Sequence, residues 1–348
     1  MQKIMSNGFF GVILLLLVSG CQSKQPDTGF YYWKTTLDFS TKDHALFAQL
    51  GAQRLYLRFF DVNWNAEYQM AVPVGVLKPK PTAAPLALDQ MAIVPTVFIV
   101  NRVFELTPPD QLAALAQKTA AKIKVMAKRL GFSSNLPIRA IQIDCDWTAK
   151  TRDPFFQFLR FLQKEQPQWA LSCTVRLHQY RDRQLMGIPP VSNALLMCYN
   201  TGNVKMRNEE NAILDAAVVA QYLKGRPYPL PLDVALPLFS WGAWYRGTKF
   251  LGLLGSIELG LAKKSTFLTL RARPNHFRVI KDTVFQGNYL RLGDEVRVDG
   301  SSDEAVKATL DLLQHKLKKK INCLLWFDWE YERVEEKKKL IEQTSNGL

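Results

Sequence analysis

Asp144 and Asp146 stand two residues apart in the run from Arg139 to Trp147, Arg-Ala-Ile-Gln-Ile-Asp-Cys-Asp-Trp. Arg176 and His178 stand two apart in the run from Ala170 to His178. In an extended strand that spacing puts both members of a pair on one face. Carboxylates beside a guanidinium and an imidazole can do acid–base work or polarise a bound substrate. The residues between them are apolar (Ile141, Ile143 and Cys145; Leu171, Cys173, Val175 and Leu177), so each stretch reads as a strand with one oily and one polar face. Unpaired carboxylates are costly in a dry core. A barrel strand meets both demands, its apolar face under outer helices and its polar face ending in a wet mouth. An edge strand with a solvated acidic face is the alternative.

Other strand ends add to the same rim: Arg58 and Asp61, Tyr199 and Asn200, Trp241, then Trp326 and Asp328. Glu105 and Glu330 lie just outside strands, where a loop can bring them in. Aromatic faces with directional polar groups suit a carbohydrate, whose C–H faces stack while its hydroxyls hydrogen-bond. Each residue also has a plainer role. Arg176 can neutralise Asp144 or Asp146 in a structural ion pair, His178 can be a hydrogen-bonded structural histidine, and Trp241 and Trp326 can plug the barrel end.

The elements needed to position these groups follow in order. The pattern predicts strands over 30–39, 54–62, 92–101, 139–147, 170–178, 194–200, 232–240 and 322–329. Arg54, Tyr56, Arg58 and Phe60 are expected on one face of the second. Helical stretches separate most of the strands, including a long amphipathic one that Pro108-Pro109-Asp110 opens and Gly131 closes. Eight strands with intervening helices predict a (β/α)8 TIM barrel over 30–331, and right-handed crossovers close it naturally. Between about 241 and 300 the rhythm breaks into short strand-like runs with Gly and aromatics, which reads as a β-rich insertion after strand seven. A charged helix over 332–348 follows.

The first twenty residues read as a lipoprotein signal peptide: Lys3, an apolar run from Phe9 to Val18, then Val18-Ser19-Gly20-Cys21. This resembles a bacterial lipobox. The resemblance implies lipid on Cys21, a membrane as partner, and a 21–29 tether; Gln22 resembles the outer-membrane-sorted class, so the expected location is the cell envelope. The apolar run is shorter than the roughly 20 residues of a spanning helix. The other cysteines, 145, 173, 198 and 323, match no zinc or redox spacing and read as small fillers on outward strand faces. Neither a metal nor a cofactor is expected. The chain carries 45 Lys plus Arg against 31 Asp plus Glu, a net charge of +14, but many of the cations fall on presumed outer helices. A nucleic-acid partner lacks both a motif and a compartment.

The ordered motifs resemble the family 18 glycoside hydrolases, the chitinase-like barrels, which carry Asp-x-Asp-x-Glu on strand four, Met-x-Tyr-Asp on six and Trp followed by an acid on eight. The matching residues here are Asp144-Cys145-Asp146-Trp147-Thr148, Met197-Cys198-Tyr199-Asn200 and Trp326-Phe327-Asp328. With the resemblance, the expected catalytic set is Asp144, Asp146, Asp328 and Tyr199; the convergence of strand ends at the mouth gives the expected substrate-binding set, Arg58, Arg176, His178, Asn200, Trp241 and Trp326. Thr148 stands where the family's general acid Glu would be, and the glycine-rich signature of strand three is missing. A hydroxyl cannot replace a carboxylic acid as proton donor near neutral pH. The sequence also resembles a group of uncharacterised bacterial lipoproteins placed among glycosidase-like barrels. Three readings stay open: a glycosidase-like enzyme with a displaced acid, a non-catalytic glycan-binding barrel, and an envelope scaffold.

Overall fold

The computed structural model describes residues 26–81, 84–317 and 321–346; the expected signal peptide, Cys21 and most of the expected tether lie outside them. Eight parallel strands form a closed barrel: β1 (Asp27–Tyr32), β2 (Ala52–Asn65), β3 (Ala92–Ile99), β4 (Ala140–Asp144), β5 (Ala170–Arg176), β6 (Asn193–Met197), β7 (Leu232–Pro237) and β8 (Ile321–Phe327). β1 pairs with both β2 and β8, so no barrel strand has a free edge. A further strand, Met70–Val74, runs antiparallel against β2 as a flap. The first barrel strand begins at Asp27, inside the expected tether, and ends at Tyr32; Thr36–Leu37 is a separate two-residue strand.

The crossovers are α1 (Thr41–Gln49), α2 (Leu112–Arg129), α3 (Arg152–Glu165), α4 (Ala216–Tyr222) and α5 (Asp303–Leu317). Ser40 caps α1 in a reciprocal box with Asp43, satisfying end N–H groups. Asp215 does the same for α4 by accepting from Ala217 and Val218. α3 begins one residue before Asp153 and buries Phe155, Phe156, Phe158, Leu159 and Leu162 on its barrel side. α2 supplies Leu112, Ala116, Ala120, Ile123 and Ala127 at helical spacing.

The alternation expected for β4 holds. Ile141, Ile143 and Cys145 pack into the large core between strands and helices. Gln142 and Asp144 turn inward, where Gln142 accepts from the Tyr31 hydroxyl. β5 and β7 behave alike, with Leu171, Cys173, Val175, Leu232, Val234 and Leu236 all outward. A second, smaller core fills the barrel itself, built from Tyr31, Tyr56, Val94, Leu195, Met197, Tyr199, Ala235, Cys323 and Leu325.

Several placements differ from the sequence expectation. Phe60 does not share a face with Tyr56: the β2–β3 register shifts between Arg58 and Phe60, and both Phe59 and Phe60 pack outward. Cys323 faces into the barrel, whereas Cys145, Cys173 and Cys198 face the outer layer; all four are buried and free. β5 ends at Arg176, and His178 lies on a short helix, Leu177–Arg181, with an exposed side chain. The end of the chain forms two helices, Tyr331–Glu336 and Lys338–Asn346.

The insertion after β7 is a five-stranded antiparallel sheet, in the spatial order Lys249–Leu254, Ser240–Arg246, Glu295–Gly300, His276–Val279, Leu268–Leu270. It has its own core, including Leu254, Leu268, Phe277, Val279, Leu290 and Val296. Its first strand starts three residues after β7 ends, so the insertion stands directly on the barrel rim.

Candidate active site

A half-open pocket of about 580 Å³ lies at the C-terminal ends of the strands. Every barrel strand contributes to its wall at its end or just beyond. Trp33 follows β1, Asp61 comes from β2, Phe98 from β3, Asp144 from β4 and Arg176 from β5. Met197, Tyr199 and Asn200 come from β6, Phe239 and Trp241 follow β7, and Phe327 and Asp328 close β8. Ser256 of the insertion and Glu330 and Arg333 of the C-terminal segment complete the rim. A larger cavity of about 990 Å³ between the insertion and α5 contains none of the strand-end acids.

Asp144 is buried and accepts a 2.6 Å hydrogen bond from the Thr174 hydroxyl of the neighbouring strand. Burial pushes its carboxyl up to about 6, against the pull of the Arg176 guanidinium and the Thr174 bond. Tyr199 is also buried; its hydroxyl has no hydrogen-bond partner among the described residues, and burial drives its ionisation well above the ordinary range. Asn200 follows in the left-handed region at φ 56°, which Asn tolerates better than most side chains.

The other acids are neutralised. Arg176 donates to both oxygens of Asp146 at 2.6 and 3.2 Å. Arg58 grips both oxygens of Asp61, an arrangement the bulge in β2 permits, and its guanidinium lies 5.5 Å from the centre of the Trp33 ring. Lys34 meets Glu330 at 2.7 Å. Arg333 reaches Asp328 at 3.3 Å and also donates to the Ser256 hydroxyl at 2.7 Å, tying the C-terminal segment to the insertion across the rim. Burial nevertheless raises the Asp328 carboxyl above its usual range.

The aromatic wall is cross-braced. Phe327 lies 5.3 Å from Tyr199, 5.8 Å from Trp33 and 5.8 Å from Phe239, centre to centre. Phe239 in turn lies 5.3 Å from Trp241. The Trp241 indole N–H donates at 3.0 Å to Asp299, which a fully buried Arg297 holds with two bonds of 2.6 and 2.8 Å. The insertion thus fixes the orientation of one mouth aromatic.

Of the residues expected at the mouth, Asp144, Arg176, Tyr199, Asn200, Trp241 and Asp328 share this pocket, together with Asp61 and Glu330. Arg58 and Asp146 stand immediately behind it as partners of Asp61 and Arg176. Trp326 does not face the mouth. It is fully buried in the outer core beside Leu324, because Cys323, Leu325 and Phe327 occupy the inward positions of β8. His178 is not in the wall either, since the chain turns helical after Arg176. Glu105 is exposed on the helix Asn101–Leu106, bonded to Asn101 at 3.1 Å. Thr148 is exposed in the loop after β4, its hydroxyl 3.3 Å from that of Thr151, and is not part of the pocket wall.

Trp33, Phe239, Phe327 and Arg333 were not anticipated. Parity along β8 contains the signal for Phe327, since Cys323 and Leu325 share its face, but the bulk of Trp326 hides it. Nothing local to Arg333 marks it. No described group of three or more His, Cys, Asp or Glu side chains is arranged to hold a metal ion.

The barrel has the fold of the chitinase-like family 18 glycoside hydrolases. Among solved structures, the chain is similar to the spore cortex-lytic enzyme SleL of Bacillus cereus, with a TM-score of 0.56 and 14% identity over 92% of this chain and 75% of that one. SleL of Bacillus megaterium gives 0.55 and 15% over the same shares. A family 18 chitinase from Cycas revoluta in complex with (GlcNAc)3 gives 0.50 and 12%, over 92% and 98%. No protein-family model and no curated protein sequence matches the chain.

Proposed function

We propose that the strand-end pocket binds a carbohydrate. The observation that carries this reading is the pairing of an aromatic wall (Trp33, Phe239, Trp241, Phe327) with two buried polar groups, Asp144 and the Tyr199 hydroxyl, which has no hydrogen-bond partner among the described residues. A sugar ring offers C–H faces to the first and hydroxyl or amide groups to the second. The fold it shares with SleL and the Cycas chitinase supports the same reading. Calorimetric titration of the full chain with a panel of oligosaccharides tests it. Saturable binding that Trp33→Ala weakens is expected, and a protein inert to every member of the panel overturns it.

Hydrolysis is the second reading, and one observation favours it: Asp144 has a carboxyl pushed up to about 6, the range of a proton donor, and makes no ion pair among the described residues. In this reading Asp144 takes the proton-transfer role that Thr148 cannot fill. Release of reducing ends by the wild type, abolished in Asp144→Asn, supports turnover; the same null result from both supports binding alone.

We further propose that the protein is anchored in the cell envelope by lipid on Cys21. Support comes from Val18-Ser19-Gly20-Cys21 behind an apolar run. No described helix is long and apolar enough to cross a membrane.

A further inference from the structure

The charges around the mouth do not cancel one for one. Asp61, Asp146, Asp328 and Glu330 each have a cation of their own: Arg58, Arg176, Arg333 and Lys34, respectively. Asp144 has none among the described residues. Its contacts are a neutral hydroxyl, Thr174, and its surroundings include Tyr31 and Tyr199, whose hydroxyls are also uncharged. The charged groups that reach it through space are Arg176, Asp146 and Asp61, and the guanidinium is already engaged by Asp146. One buried carboxylate therefore remains in excess in a chain whose net charge is +14.

Burial without a partner charge is costly to a carboxylate, and a cation delivered by the ligand removes that cost. Resting on the carbohydrate reading above, we propose that the pocket selects glycans bearing a free amine, with the ligand ammonium seated against Asp144 and the Tyr199 hydroxyl. A glycan carrying carboxylates meets the opposite situation, since it adds a second anion beside Asp144. An N-acetylated sugar offers a neutral amide and gains only ordinary hydrogen bonds.

The strongly basic chain makes this preference informative. A polycationic ligand is repelled by the protein as a whole, so any advantage of an amine glycan must be local to the pocket. The test is calorimetric titration of the full chain with glucosamine oligomers and with N-acetylglucosamine oligomers of the same length. At least tenfold tighter binding of the amine form is expected. Asp144→Asn, which keeps the shape and the acceptor for Thr174, is expected to bring the two affinities within about twofold. Equal or weaker binding of the amine form to the wild type overturns the inference while leaving carbohydrate binding intact, and needs no variant to read. Failure of both oligomers, with binding of an unrelated neutral glycan, overturns it in the same limited way. Failure of every glycan overturns the carbohydrate reading and this inference with it.

Discussion

Arg176 donates two hydrogen bonds to Asp146 while its charge also reaches Asp144 at the end of the neighbouring strand β4. One guanidinium thus locks the outer of two neighbouring acids and leaves the inner one without an ion pair among the described residues. The two carboxylates, equivalent by spacing, become different in chemistry: Asp146 is a half-exposed member of an ion pair, and Asp144 is a buried acid pushed up to about 6.

Removing that guanidinium is expected to act on both acids. In Arg176→Gln the Asp144 carboxyl rises further above about 6, because the favourable charge is lost and Asp146 is left unpaired beside it. Carboxyl-carbon NMR titration reads the shift. The loss of stability from the pair itself is small, about 1 kcal/mol, since Asp146 is half exposed and water screens the interaction. A downward shift of Asp144 contradicts the assignment.

Asp233 makes a prediction about pH. It is buried at the lower end of the barrel, accepts from Asn193 at 2.7 Å, and burial pushes its carboxyl from 3.8 up to about 6. Between about pH 4 and 6 the folded chain keeps a proton that the unfolded chain has released. Its stabilising contribution is therefore fully present below about pH 4 and lost as the pH rises through 6, a change of at most about 3 kcal/mol. Asp233→Asn is expected to flatten the dependence by that order. Urea midpoints of wild type and variant at pH 4 and pH 8 measure it; parallel profiles refute it.

The two tryptophans near the ends of β1 and β8 separate binding from packing. Trp33→Ala is expected to weaken glycan binding about tenfold, roughly 1.4 kcal/mol, with a smaller loss of stability than a fully buried tryptophan gives, as the ring lines the pocket and is only partly buried against the inner core. Trp326→Ala removes a fully buried side chain and is expected to cost about 3–5 kcal/mol of stability. Binding by the surviving folded fraction of that variant stays near wild type. Calorimetry and thermal melts on both variants decide the assignment, and exchanged phenotypes disprove it.

Lipidation at Cys21 is expected to appear as incorporation of labelled palmitate in a bacterial host and partition of the protein into detergent. Cys21→Ser abolishes both. A wild-type chain that takes up no label removes the anchor from the proposal.

Parity was legible along β4, β5 and β7. Ile141, Ile143 and Cys145 against Gln142 and Asp144 read correctly because a two-residue period needs no distant information. It failed where the backbone departs from that period. The bulge in β2 turned Phe60 outward and brought Arg58 to Asp61; the helical turn after Arg176 took His178 out of the wall. In β8 both Trp326 and Phe327 are large and aromatic, and bulk alone does not say which of two adjacent rings faces the axis.

The amino-acid order by itself determined the barrel rhythm, the place of the insertion and the outward apolar faces of β4, β5 and β7, since these follow from local alternation of side chains. Only the tertiary structure decided which charges meet. Arg333 finds Asp328 and Ser256 across the rim, Lys34 finds Glu330, and Asp144 is left without an ionic partner among the described residues. Coulombic and hydrogen-bond partnerships depend on distance in space, and residues separated by up to some three hundred positions become neighbours only when the sheet closes.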